Sequence, residues 1–112
     1  MIDLNKTAHE CLKISNKREE NGGVGHDVLK HCAGEVCEAI EAKKTLEELE
    51  DYNDFYTLTQ IQEAQGNYAY ELADIVICAL VAFAKEGIDP EGAITRKMKQ
   101  NEARALGLGD KK

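Results

Sequence analysis

The sequence predicts an all-α fold, a four- or five-helix bundle completed by oligomerisation. Two observations carry this: apolar residues recur at helical spacing along most of the chain, and no stretch shows the period-two alternation of a half-buried strand. A third concerns one segment. From Leu72 to Ala84 every residue is apolar except Asp74, and Glu71 stands one residue before the run. A helix apolar on all sides is either a membrane span or the centre of a bundle, and this run falls well short of the roughly 20 apolar residues a bilayer needs. It reads as a bundle centre.

The elements follow in chain order. Ile2, Leu4, Ala8, Cys11, Leu12 and Ser15 lie at helical spacing and predict an amphipathic first helix over residues 2 to about 20. Asn21, Gly22, Gly23 and Gly25 break the pattern, a flexible link that could also serve as a substrate lid. From Asp27, an apolar stripe of Val28, Leu29, Cys32, Ala33, Val36, Cys37 and Ile40 predicts a second helix, with Glu35, Glu38 and His31 together on its shoulder near solvent. Thr45 followed by Glu48 has the spacing of a capping box, so a short separate helix is expected from Leu46. Residues 51–66 read as a helical excursion or as a loop packed over the cleft. Asn67 is an acceptable cap for the central helix, which ends at Gly87. Asp89, Pro90 and Glu91 then supply a cap, a first-position proline and a first-turn acid for a last helix to about Arg104. The tail from Gly107 is expected to fray.

A chain of 112 residues is expected to form a single domain, 1–112. Fourteen basic against 21 acidic residues give a net charge of −7, which argues against a nucleic acid polymer or an anionic membrane as partner and suits a cation site. The amino terminus has neither the continuous apolar core nor the small-residue cleavage site of a signal peptide, so a cytoplasmic protein is expected. Cys11, Cys32, Cys37 and Cys78 show no C-x-x-C spacing and read as reduced core thiols. The central helix and the wide stripe of the second exceed what one chain can cover. A homo-oligomer, a dimer or a dimer of dimers, is expected.

Chemistry enters with the acids. Glu35 with Glu38 and Glu71 with Asp74 are two carboxylate pairs, each spaced i, i+3 on its helix. Burying such groups without a cation would be strongly unfavourable. Four oxygen donors make a hard site that selects Mg²⁺, with Mn²⁺ as substitute. A di-iron bundle would need Glu-x-x-His, whereas the residues three after Glu35 and Glu71 are Glu38 and Asp74. His31 is an auxiliary candidate, as ligand, base or hydrogen-bonding neighbour. On the last helix Lys97, Asn101 and Arg104 share a face at i, i+4, i+7, and cations beside an amide suit phosphate oxygens. Acids for a metal and cations for phosphate point to a nucleoside triphosphate held through magnesium.

These residues resemble the MazG-like all-α nucleoside triphosphate pyrophosphohydrolases. The family's E-x-x-E followed by E-x-x-D is matched by GEVCE at 34–38 and ELAD at 71–74, and its closing K-x-x-x-N-x-x-R by Lys97, Asn101 and Arg104. The resemblance covers most of residues 27–104. It implies Mg²⁺-dependent cleavage between the α and β phosphates, giving a nucleoside monophosphate and pyrophosphate, a nucleotide-pool house-cleaning reaction. Glu35, Glu38, Glu71 and Asp74 would hold metal that activates a water, and the closing basic residues would contact phosphate. Gly34, where many members carry an acid, is similar to the dCTP pyrophosphatase-like branch and points to a deoxynucleotide. The long interval between Glu38 and Glu71 suggests a rebuilt base pocket, with Tyr52, Phe55, Tyr56, Tyr68 and Tyr70 as stacking candidates. Two alternatives stand beside this reading: a non-catalytic helical interaction module with a structural cation site, and a phosphoribosyl-ATP pyrophosphohydrolase.

Overall fold

A computed structural model describes residues 2–20, 27–52 and 57–107. All regular structure among them is helical: α1 (Leu4–Glu20), α2 (Val28–Asp51), α3 (Leu58–Glu86) and α4 (Pro90–Ala105). The glycine-rich link, Phe55 and Tyr56 lie outside the described residues. The chain divides into two compact units, Gly23–Ala79 and a second made of Met1–Gly22 with Leu80–Lys112, and α3 runs through the boundary.

In the first of these units the packed positions of α2 are residues 28, 32, 35, 39, 42, 46 and 49, all buried or half-buried, with Ala39 and Leu46 the deepest. Those of α3 are residues 61, 64, 68, 71, 75 and 78, with Ala64 and Cys78 the deepest. Both series step by alternating threes and fours, the spacing that keeps one seam of a helix turned toward a neighbour. The seam runs antiparallel. One carboxylate oxygen each of Glu35, Glu71 and Asp74 lie within 4.8 Å of one another, and the Lys43 ammonium lies 5.4 Å from the centre of the Tyr68 ring.

That seam overrides two local signals. Thr45 does not open a separate helix: α2 continues through it, and its hydroxyl donates to the Glu41 carbonyl at 3.2 Å, a bond available to threonine inside a helix. Breaking the chain at Thr45 would take Leu46 and Leu49 out of register. Nor does the central helix wait for Asn67. It starts nine residues earlier, at Leu58, behind a capping box in which the Thr57 amide donates to Gln60 Oε1 at 2.8 Å and the Gln60 amide to Thr57 Oγ1 at 3.2 Å. Gly66 is accommodated in mid-helix because Ile61 and Ala64 before it already pack.

The α2 stripe also divides. Leu29, Ala33, Val36, Cys37 and Ile40 are exposed in the single chain, whereas Glu35 sits in the packed seam rather than on its shoulder. Leu72, Val76 and Ile77 of α3 are exposed as well, at 43%, 54% and 44%. Among the described residues no large side chain is wholly buried. By length and composition α3 also meets the requirement for crossing a membrane.

In the second unit α1 packs on α4. Asp3 caps α1 by accepting from the amides of Asn5 and Lys6 at 3.1 and 3.2 Å, and Asn5 Oδ1 accepts from the Glu91 amide at 3.2 Å, fastening α1 to the start of α4. Among the described residues Ala8, Leu80, Val81 and Pro90 are the buried ones there. At the end of α3, Gly87 has φ of 66°, with its amide on the Ala84 carbonyl (3.2 Å) and the Ile88 amide on Phe83 (2.9 Å), a Schellman closure. Asp89 then lies over the first turn of α4, its carboxyl held below the usual range by the Gly92 backbone, the Asn5 amide and the Glu91 backbone. A Cβ at Gly92 would come within 2.5 Å of Asp89 Oδ2.

Gly66 inside α3 and Gly87 just past its end should respond oppositely to alanine. At Gly66 nothing lies within 4 Å of an added Cβ, so Gly66→Ala should stabilise by up to about 1 kcal/mol in urea denaturation. Gly87→Ala should destabilise by about 1 kcal/mol, since an L side chain disfavours that backbone. A destabilised Gly66→Ala would show that α3 is not continuous there.

Candidate metal centre

Antiparallel register sets Glu35 on α2 opposite Glu71 and Asp74 on α3. One carboxylate oxygen from each of the three lies within 4.8 Å of the others. Glu35 and Glu71 are half-buried and Asp74 is exposed. Glu38 stays exposed at the edge, within hydrogen-bonding reach of both Glu35 and Glu71. The structure therefore groups three of the four acids singled out in the sequence and places the fourth beside them.

Each of the two half-buried acids keeps one oxygen without a hydrogen-bond partner. His31 Nε2, one turn before Glu35, lies 3.2 Å from Glu35 Oε1, while Glu35 Oε2 and Glu71 Oε2 are buried without a hydrogen-bond partner. Burial is the first cause that raises the Glu35 carboxyl above the ordinary glutamate range, followed by the charges of Glu38 and Asp74, the hydrogen bond with Glu38 and the charge of Glu71. Glu71 is raised for the same kind of reason, burial first and then Glu38 by charge and hydrogen bond, and Asp74. A cluster of like charges with orphaned, inward oxygens is short of positive charge. An all-oxygen donor set of this kind fits a hard divalent cation such as Mg²⁺ or Mn²⁺.

The other residues singled out in the sequence fall as follows. On α4, Lys97 and Asn101 are exposed and Arg104 is half-buried. Lys97 Nζ donates to Gln100 Oε1 at 3.0 Å, and these two with Ala93 and Arg96 line an open groove of about 420 Å³. Asn101 and Arg104 are outside that lining. Gln100 was not foreseen, and its position three after Lys97 was the signal available. Tyr68 is engaged by Lys43, whereas Tyr52 and Tyr70 are exposed. Of the thiols Cys78 is buried and Cys11 and Cys32 are half-buried, but Cys37 is exposed, so not every cysteine is a core thiol of this chain. Compared with family models, curated proteins and solved structures, the chain matches none.

The raised carboxyls fix a direction for pH. In the folded protein Glu35 and Glu71 hold protons more tightly than in the unfolded chain, so their ionisation opposes folding above the raised values. That penalty is relieved as pH falls through the raised values and is gone below the ordinary glutamate value. Protein in chelator should therefore melt higher near pH 5 than near pH 7.5, and Asp74→Asn, which removes one repelling charge, should melt at or above wild type at the higher pH. A mutant that melts well below wild type in chelator would mark Asp74 as a paired structural acid.

Proposed function

We propose that this chain is a Mg²⁺-dependent nucleoside triphosphate pyrophosphohydrolase, cleaving the α–β phosphate bond of a (deoxy)nucleoside triphosphate to a monophosphate and pyrophosphate. One observation carries the reading: three carboxylate oxygens from the E-x-x-E and E-x-x-D segments converge within 4.8 Å, two of the acids keeping a buried oxygen without a partner. Glu35, Glu71 and Asp74, with Glu38 alongside, would hold the cation. When bound, such an ion lowers the pKa of water and neutralises charge on phosphoryl oxygens.

The chain's own residues do the rest. His31 takes one oxygen of Glu35 and leaves the other turned inward, so the carboxylate is held in one orientation. The paired acids serve as ligands and orient the attacking water without acting as nucleophiles. Lys97, Asn101 and Arg104 are the proposed phosphate contacts, on their charge, amide chemistry and order in the sequence.

The same reading takes the protomer as part of a homo-oligomer, a dimer or a dimer of dimers. Leu29, Val36 and Ile40 on α2 and Leu72, Val76 and Ile77 on α3 are large, exposed and on helices that also carry the acids. Covering each remaining aliphatic surface would contribute on the order of 1 kcal/mol. This also accounts for the composition of α3 without a bilayer, since a partner's apolar surface satisfies it equally well and leaves Glu71 and Asp74 facing α2.

The test is pyrophosphate release from a panel of ribo- and deoxynucleoside triphosphates with and without Mg²⁺. Release should require Mg²⁺ and fall at least a hundredfold in Glu71→Gln, roughly the loss of about 2.7 kcal/mol of transition-state stabilisation. Mg²⁺ at a hundredfold excess over its dissociation constant should stabilise the wild type by about 2.7 kcal/mol and the Asp74→Asn protein by much less. If the cation stabilises but no nucleotide is cleaved, the carboxylates form a structural cation site in an interaction module. A light-scattering mass of one chain at micromolar concentration would count against the oligomer.

A further inference from the structure

A cavity of about 220 Å³ lies within the second unit, between α1 and the turn that joins α3 to α4, and no acid of the α2–α3 cluster lines it. Small residues hollow it out. Ala8 is its buried floor, Ala84 and Gly87 add little bulk where α3 ends, and Asn5 is held to α4 by the Glu91 amide, which donates to Asn5 Oδ1 at 3.2 Å. Ile88 and Pro90 complete an apolar wall, and the polar residues besides Asn5 are Asp89 and the exposed His9. We propose that this cavity binds a small primary alkylammonium, its head on Asp89 and its chain against Ala8, Ile88 and Pro90.

Charge selects the ligand. The start of a helix ordinarily attracts anions through its free amides, but those of α4 are spent. Pro90 has no N–H, the Glu91 amide is taken by Asn5, and the Ala93 amide donates to the Asp89 carbonyl at 3.1 Å. Gly92 has the Asp89 carboxylate over its backbone, with Oδ2 only 2.5 Å from where a Cβ would stand. The cavity instead meets the carbonyl end of α3, at Ala84 and Gly87, where a helix favours positive charge. Asp89 adds a full negative charge at neutral pH, its carboxyl being held below the usual range first by the Gly92 backbone. Arg96, whose Nη1 stands 3.2 Å from the same Cβ position, lies on the α4 side of Asp89 and is not among the residues that line the cavity. One carboxylate is too few donors for a metal ion, whereas an ammonium is served by one carboxylate, and an apolar wall suits its methylenes. The volume is below the ~300 Å³ at which pockets for drug-sized ligands begin, which limits the chain to a few carbons.

This site shares no residue with the carboxylate cluster, so the proposal stands whether or not that cluster binds a cation or cleaves a nucleotide. The ¹⁵N-labelled full-length protein is titrated at pH 7 with n-butylammonium chloride and followed by two-dimensional NMR, with sodium butyrate, 1-butanol and sodium chloride in parallel. Butylammonium should give saturable shifts at Asn5, Ala8, His9, Gly87 and Ile88, binding roughly tenfold or more tightly than butyrate or butanol. Asp89→Asn, which keeps a capping side chain but not the charge, should weaken it by a similar factor. Ala84→Leu, which fills the cavity, should abolish the shifts. If either variant fails to fold, the comparison of the three four-carbon ligands in the wild type decides. Equal binding of butanol would reduce the site to an apolar hollow, tighter binding of butyrate would reverse its sign, and shifts confined to Glu35, Glu71 and Asp74 would move the ammonium to those acids. Each of these results, or the absence of saturable shifts, would overturn the proposal.

Discussion

Two helices that must pack antiparallel, with acids among their packing positions, set the terms for the rest of this protein. Glu35 and Glu71 stand in the same threes-and-fours series as Ala39, Leu46, Ala64 and Cys78. The apolar contacts of that series cannot form without bringing the carboxylates together. Hydrophobic packing therefore works against electrostatics at the middle of the seam: burial and mutual charge raise the Glu35 and Glu71 carboxyls, and two oxygens are left without partners. Strain of this kind is a common mark of a binding site, because a ligand of opposite charge regains what the free protein forgoes.

The long helices follow from that seam. A shorter α2 ending at Thr45 would forfeit Leu46 and Leu49, and a shorter α3 starting at Asn67 would forfeit Ile61 and Ala64. Caps are consequently placed where the seam stops: Asp27 accepting from the Leu29 amide at 2.9 Å, and Thr57 with Gln60. Extending both helices also displays two apolar faces, around Val36 and Ile40 on α2 and around Val76 on α3. One seam per helix leaves Leu29, Val36, Ile40, Leu72, Val76 and Ile77 outside it, which is why this chain has so many large aliphatic side chains to offer a second copy.

The sequence by itself determined that the described chain would be helical, because apolar spacing of three and four is local. It also determined where α2 and α4 begin and where α3 ends, through Asp27, Asp89, Pro90 and Gly87, whose effects on the backbone need no distant partner. The pairing of acids at i, i+3 was equally legible, since a helix puts such residues on one side. Tertiary structure decided the remainder. Which half of the wide α2 stripe packs, and hence that Glu35 lies inside while Leu29 and Val36 lie outside, depends on α3 and not on hydrophobicity, for both halves are apolar. Thr45 with Glu48 and Thr57 with Gln60 are the same local pattern, and only the second acts as a cap. A helix can run through the first and gain Leu46 and Leu49, whereas at the second Thr57, Leu58, Thr59 and Gln60 are all exposed and the described packing of α3 begins at Ile61. The meeting of Glu35 with Glu71 and Asp74 had no signature in spacing at all, because residues so far apart in the chain become neighbours only when two helices choose a register.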